Sequence, residues 1–332
     1  MQVKIKILSP IHIGSGVEYD KNFNFIVDDE DVYLLDEFDV VEFFVSKNMI
    51  VPDNLVYLKN FIEKHKKELI ENKVYKRKIK SYWQNMNTLL ENVSTQNNPI
   101  ISGSSIKGAI ETAIFSLLVN DNERVENIKN HLNNRRFDER RFNDRKRPHT
   151  IDEDFKKIFT YLKVSDSIEN LQTQMYKTIN IKKDKSHQGN REKKVEKIAN
   201  YVESIKPNQE VIITMKDETD KLFREKIFQN DLAKICNAYY LSKLNTQLKY
   251  YFYKKGSIGL KTLDGKFLLN IGRFGGAENK TIDKLRYIRN SHCDNKNNTS
   301  AITFALEKNG TSPYFENELL PFGWVLCEII KD

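Results

Sequence analysis

The sequence predicts an α+β protein built around a ferredoxin-like βαββαβ core with large helical and loop insertions. Apolar residues alternate or run together, as in strands, over residues 3–13, 159–164, 210–216 and 266–271. They recur at helical spacing over residues 104–119 and 220–248. In chain order the elements read strand, helix, strand, strand, helix, strand, the split-βαβ arrangement that RNA-recognition modules use as a platform (RRM-like). The core is then expected near 3–14, 104–119, 159–166, 210–248 and 266–276, within a single domain spanning 1–332. Residues 36–98, 120–158 and 168–208 are read as insertions.

Each element has a local reason. In MQVKIKILSPIHIG lysine and isoleucine alternate, giving a strand over Val3–Ile13 that ends in Gly14-Ser15-Gly16. Phe23–Val27 and Val32–Leu35 flank the acidic turn Asp28 to Asp31 as a hairpin. Those carboxylates lack the DxDxDG pattern of a calcium loop, so a solvated turn is the better reading. Asp36–Asn48 and Leu55–Lys73 read as helices. In NNPIISGSSIKGAIETAIFSLL the apolar positions 106, 109, 110, 113, 114, 117 and 118 form one helical stripe, with Ser104 placed to cap. Residues 120–150 have weak periodicity and few aliphatics, as expected of a loop or mobile insertion. Phe159–Val164 is a short strand followed by Ser165-Asp166-Ser167, in which Asp166 could be catalytic or could cap the next segment, the cap being the better reading. Residues 177–197 read as a second basic, exposed loop with Gly189-Asn190 at its tip. Glu210–Met215 is a strand, and Asp220–Leu248 a long helix striped by Phe228, Leu232, Ile235 and Tyr239. Lys266–Ile271 is a strand closed by Gly272-Arg273-Phe274-Gly275-Gly276. A polar loop over 290–300 and a last apolar strand, Gly323–Ile330, complete the chain.

Composition bounds the function. Of 332 residues 39% are hydrophobic and 30% charged. No apolar run approaches the roughly 20 residues of a membrane span, and the start has no signal-peptide core, so no membrane partner is expected. Cys236, Cys293 and Cys327 show no CxxC spacing, which fits a reducing cytoplasm and argues against a disulfide framework or a cysteine zinc site. No metal site and no cofactor are read. The net charge of +8 is unevenly spread. Residues 1–60 hold eleven Asp/Glu and five Lys/Arg, a local −6. Arg124–Arg147 holds nine Lys/Arg against four Asp/Glu, and Lys182–Lys197 seven against three. Such clustering suits a polyanion partner, while an acidic end suits docking onto a basic subunit.

Two glycine-flanked stretches carry the candidate chemistry. Gly103 and Gly108 have the spacing of a P-loop, but Gly108 is followed by Ala109-Ile110 rather than Lys-Ser/Thr, which argues against an NTPase. What remains is a helix mouth whose free N–H groups, with Ser104, Ser105 and Lys107, favour an anion such as an RNA phosphate. In Gly272, Arg273, Phe274, Gly275 and Gly276 the glycines permit close backbone approach, the arginine can meet phosphate and the phenylalanine offers a π-face. It is not a GxGxxG fingerprint. His12, between Pro10 and Gly14, could act as a general base in RNA cleavage or hydrogen-bond locally. The other histidines form no triad.

Taken together, SPIHIGSGVEY near the start, ISGSSIKGAIETA at 101–113, KVSDS at 163–167, LLNIGRFGGAENKT at 268–281 and LPFGWVLCEI at 320–329 resemble the RAMP superfamily of CRISPR proteins. Within it, the likeness is to subunits of type III-A (Csm) effector complexes. The resemblance implies one RAMP domain with insertions that binds the guide crRNA and caps the 3′ end of the backbone filament. It implies support of crRNA maturation and antiviral defence. The implied partners are crRNA and other Csm complex subunits, chiefly the neighbouring backbone RAMP subunit, with a host nuclease as a further candidate. Carried over by residue, Ser104, Ser105, Lys107, Gly272 to Gly276 and His12 are RNA-contact candidates and none is catalytic. Two positions depart from the family pattern: Ile101-Ser102 stands where a proline commonly precedes the glycine, and Glu111 where a basic residue is common. The alternative is a metal-independent RAMP endoribonuclease with His12 as base. A single glycine-rich loop and no convincing His/Tyr/Lys set favour the binding subunit.

Overall fold

Two large β-sheets, between which the chain crosses repeatedly, organise the structure. The computed structural model describes residues 1–120, 159–182, 195–196, 200–218, 227–251, 263, 265–281, 288–290, 293–296, 301–307 and 319–330. The basic stretch 124–147 and the loop tip at 189–190 lie outside the described residues.

The core sheet runs Phe267–Asn270, Trp324–Ile330, Gln2–Ile7, Glu210–Asp217, Leu162–Val164, every neighbouring pair antiparallel. Alternation decides which face is covered. Val3, Ile5 and Ile7 point inward with Val211, Ile213 and Met215. Helices Gly103–Asn120 and Ile227–Tyr251 cover that face through Ile106, Ala109, Ile110 and Ala113, and through Leu232, Cys236, Tyr240 and Leu244. Tyr240 Oη donates to the Ala109 carbonyl at 2.9 Å, tying one helix to the other. The stripe expected of the long helix is thus shifted: Leu232 and Tyr239 are buried, Ile235 only partly.

The strand order departs from the expectation. Phe267–Asn270 lies at the sheet edge, and the place beside the first strand belongs to Trp324–Ile330. The first strand itself ends at Ile7, not Ile13, because Pro10 has no N–H to give a ladder.

The second sheet has ten strands. Its main path is Gly14–Asp20, Thr88–Asn92, Tyr201–Ile205, Thr173–Lys182, Arg77–Lys80, Asp31–Leu34, Phe25–Asp28. Ala301–Leu306 adds to the far half of Thr173–Lys182, followed by Leu319–Pro321, and Val195–Glu196 pairs at its end. The reading of 177–197 as an exposed loop is therefore corrected at its start. Lys177–Lys182 pairs with Ala301–Leu306, and Thr178 and Ile179 are buried. The lysines at 177 and 182 hid the alternation. The stretches 36–98 and 168–208 accordingly supply strands as well as helices and loops. Within the polar 290–300 stretch, Ile288–Asn290 and Cys293–Lys296 pair as a short hairpin.

The hairpin 25–34 is buried on both faces, which explains its near-continuous apolar run. Phe25, Val27, Val32 and Leu34 join Ile79, Trp83 and Met175. Ile26, Tyr33 and Leu35 receive helices Glu37–Ser46, Leu55–Lys64 and Lys66–Glu71 through Val40, Phe44, Ile62 and Leu69. Asp36 caps the first helix by accepting from Phe38 N at 2.9 Å, and Asn54 caps the second through Val56 N at 2.9 Å. Among the described residues no helix is long and apolar enough to cross a membrane.

One buried carboxylate ties the strands of the second sheet together. Glu203 is fully buried and accepts from Arg77 at 2.7 Å, Thr173 Oγ1 at 2.7 Å and Asn92 N at 3.1 Å. Burial pushes its carboxyl up from the ordinary value, against the pull of the Arg77 guanidinium and the two other donors. Arg77→Met removes the countercharge and should cost about 3–5 kcal/mol, measured by urea unfolding. The double variant with Glu203→Leu should recover much of that loss. A single-variant cost below about 1 kcal/mol would show that the pair is not structural.

Candidate nucleic-acid interface

The helix mouth starts one turn position earlier than the spacing suggests. The helix begins at Gly103, and Ser102 rather than Ser104 is its cap, accepting from Ser105 N at 3.4 Å. Ser102 Oγ also meets Ser105 Oγ at 2.9 Å and accepts from Ser104 Oγ at 3.2 Å. Asp166 caps not the segment that follows it but a helix earlier in the chain: its Oδ1 accepts from Gly103 N at 2.7 Å. That carboxylate already occupies part of the positive end of the helix. Gly103 is where it is for contact, since an added Cβ would lie 2.3 Å from the Val164 carbonyl oxygen. Gly108 is different, with nothing within 4 Å of such an atom. Ser104 is exposed and Lys107 half-buried, so both remain presented at the surface.

The glycine-rich loop docks on the segment after the first strand. Arg273 N donates to the His12 carbonyl at 2.7 Å, and a Cβ on Gly272 would stand 2.5 Å from that same oxygen. Gly272 sits at φ +75°, a conformation only glycine holds without cost. Phe274 adopts φ +64° nonetheless, at a cost of order 1–3 kcal/mol. Its ring is held between His12 at 5.5 Å and Phe322 at 5.4 Å, so its π-face is largely committed inside the protein. Arg273 is exposed, and its guanidinium lies 5.4 Å from the Phe274 ring beside Gly14.

His12 is fully buried. Its Nδ1 lies 2.6 Å from the Glu203 carbonyl oxygen, and its Nε2 has no partner in the structure. Burial lowers the imidazole to about 4, against the opposing Glu203 hydrogen bond, with Arg273 lowering it further. The ring is a neutral donor through Nδ1–H. A proton-abstracting role would need a path to substrate that this packing does not provide.

The two stretches lie at opposite edges of the core sheet: the helix mouth abuts Leu162–Val164, and the glycine loop follows Phe267–Asn270. The uncovered sheet face shows Gln2, Lys4 and Lys6 beside Glu210, Ile212, Thr214 and Lys216. No aromatic ring stands on these two strands for base stacking, unlike the RNA-recognition platform the element order suggests.

Sequence reasoning missed a cleft of about 600 Å³ on the second sheet, lined by Lys76, Arg77, Lys78, Lys80 and Lys206 among amide side chains. Four of those cations are already matched, by Asp36 at 2.9 Å, Glu203 at 2.7 Å, Asp31 at 2.8 Å and Glu30 at 2.6 Å. The acidic turn at 28–31 is thus a set of ion-pair partners for the neighbouring strand. It missed Glu203 too, although a lone carboxylate inside the apolar run YVESI was a legible signal of a buried partner.

The RAMP superfamily profile matches residues 4–332, and the chain belongs to that superfamily. Within it, the likeness is to Csm5. The chain is 28% identical over 317 residues to a Methanocaldococcus jannaschii protein described as CRISPR system Cms protein Csm5, covering 85% of this chain and 72% of that one. It shares its fold with a chain of the cryo-EM Csm–crRNA–target RNA ternary complex of a type III-A CRISPR-Cas system, at TM-score 0.69 and 18% identity, covering 99% of this chain and 100% of that one. A crystal structure of T. onnurineus Csm5 superposes at TM-score 0.61 and 17% identity, covering 97% and 99%.

The buried imidazole has a pH signature. The unfolded chain takes up a proton near pH 6.5 while the folded chain waits until about 4, so stability falls as pH drops through that window. At about 1.4 kcal/mol per unit the loss approaches about 3 kcal/mol at pH 4. Denaturant titrations at pH 7, 5.5 and 4.5 on wild type and His12→Gln should show this extra acid sensitivity in wild type alone. Parallel pH slopes for the two proteins would refute it.

Proposed function

We propose that this chain is a non-catalytic, crRNA-binding subunit of a type III-A Csm effector complex, standing at the 3′ end of the backbone filament. The observation that carries the reading is the end-to-end likeness to a chain of a Csm–crRNA–target RNA complex together with the match to Csm5. In this reading the first strand, the helix 103–120, the strands 162–164 and 210–217, the helix 227–251 and the last strand 324–330 form the ferredoxin-like unit, and 267–270 is an added edge strand. The domain extends over 1–332, with the second sheet built partly from its insertions at 36–98 and 168–208 and partly from strands at 14–34 and 301–321.

RNA contact falls to Lys107, Ser104 and Ser105 at the helix mouth and to Arg273 on the glycine loop, whose backbone Gly272 to Gly276 is fixed against His12. His12 and Phe274 act beneath Arg273 as its support. Burial of the imidazole supports a binding role over cleavage. Supporting crRNA maturation and antiviral defence follows from holding the guide's 3′ portion; the backbone RAMP subunit is the neighbour, and a nuclease that trims the guide is supplied by another protein.

Filter binding of single-stranded RNA across a salt series tests the reading. Lys107→Ala and Arg273→Ala should each flatten the slope of log affinity against log salt by about 0.7, with melting temperature nearly unchanged. Gly108→Ala should gain about 0.5–1 kcal/mol of stability yet weaken RNA binding by obstruction, without flattening the slope. Unaltered affinity and slope in both charge variants would move RNA contact elsewhere. Cleavage of labelled repeat RNA in EDTA, lost in His12→Ala, would instead establish a nuclease.

A further inference from the structure

The helical module at 37–71 carries an apolar face that no described residue covers. Helix Glu37–Ser46 buries Val40 and Phe44 against the hairpin and the second helix, with Phe43 partly buried beside them. At about 100° per residue, Phe38, Val41 and Val45 fall within an arc of about 60°, centred roughly 110° around the helix from Val40 and Phe44. They are 85%, 42% and 59% exposed. Ile50 at 91% follows, and the first turn of Leu55–Lys64 adds exposed Leu55, Val56 and Tyr57. Seven of the eleven exposed large hydrophobic residues among those described thus fall between 38 and 57. A helix apolar on both faces is normally covered on both, and a clustered apolar surface of this kind marks an interaction site.

Charge selects the occupant. Residues 36–57 contain Asp36, Glu37, Asp39, Glu42 and Asp53 against Lys47 alone, five minus one, a net −4. Lys47 is itself held by Glu68 at 2.6 Å. Such a surface repels RNA and anionic lipid, and attracts a protein face with a basic rim.

We propose that the outer face of Glu37–Ser46, with Ile50 and the first turn of Leu55–Lys64, is a docking surface for a protein subunit presenting an apolar patch rimmed by lysine and arginine. The proposal rests on the reading of the chain as a complex subunit. Phe38 and Tyr57 are the aromatic anchors, and Asp39 and Glu42 set orientation and encounter rate. The face lies in the acidic part of a chain whose remaining residues are strongly basic, so protein docking and RNA contact occupy different regions.

The test is assembly. The chain is co-expressed with the other complex subunits and guide RNA, with the tag on the neighbouring backbone subunit. Phe38→Asp/Val45→Asp and Asp39→Lys/Glu42→Lys should each cut co-purification of the chain at least tenfold. Because these side chains are exposed, melting temperature and filter binding of RNA by the free chain should stay at wild-type levels. Incorporation of both variants at the wild-type level would overturn the surface while leaving the subunit reading intact. Failure of wild type itself to co-purify would overturn the subunit reading and the surface's partner with it. Loss of RNA binding in the Phe38 variant would make the face a nucleic-acid interface. A free chain that is dimeric, and monomeric only as the Phe38 variant, would make the occupant a second copy; either result overturns the proposal.

Discussion

The segment from Ile7 to Ile13 is the part on which the two sheets depend. Three of the passages from one sheet to the other are at 8–13, at 206–209 and at 322–323, and the first of these hydrogen-bonds to both of the other two. Ile7 exchanges bonds with Gln209 and Asn208, Leu8 and Ser9 donate to Trp324, and Gly323 donates to Pro10. Ile11 pairs with Ile205 in both directions, and Ile13 with Asn92 and Val93. A buried stretch outside any strand must settle each backbone group somewhere, since an orphaned one costs about 1–3 kcal/mol. Here the partners come from elements separated by up to three hundred residues of sequence. That closure fixes the mutual position of the sheets.

The same segment supports the proposed interface. The His12 carbonyl receives Arg273 N, and the His12 ring receives Phe274. Arg273 is therefore presented from a loop clamped at the junction, with little conformational entropy left to lose when it meets an anion. The charge pattern divides the molecule in a complementary way. Lys76, Lys78 and Lys80 at the second sheet face carboxylates of the 28–36 stretch, so these three carry little unbalanced field. Exposed pairs of this type add little stability, about 0–1 kcal/mol each, but they remove the lysines from any long-range pull on RNA.

Much of this was legible in the sequence, for reasons that differ by element. The first strand, the helix at 103 and the strand at 210 alternate or repeat cleanly because each has one buried and one open face, so periodicity reports them. Strand Thr173–Lys182 was missed because its lysines sit where the chain pairs on both sides, and cross-strand pairing is invisible to a one-dimensional pattern. The last strand was seen, but its place beside the first could not be, because register and neighbour choice arise from closure between distant segments. At the proposed site, Lys107, Arg273 and the glycines stand out in the sequence by residue type. The commitment of Phe274 and His12 to internal packing depends on Phe322 and Glu203, far away in sequence.

The glycines show why a binding signature and a folding signature look alike. Small residues at a helix mouth permit close approach, but the sequence does not say of what. Gly103 makes room for the Val164 carbonyl and Gly272 for that of His12, so both serve the protein's own backbone. Gly108 serves no such contact. In a helix interior glycine is worth about 1 kcal/mol less than alanine, and at this position the free chain gives nothing back. Ser104 lies one turn before it and Lys107 beside it, so this helix glycine, which has neither an internal contact nor a positive φ to require it, stands where the proposed phosphate contact would bring an RNA backbone nearest to a cation. A folding constraint accounts for the glycines that touch something; for Gly108 the proposed RNA contact would supply the reason that the fold does not.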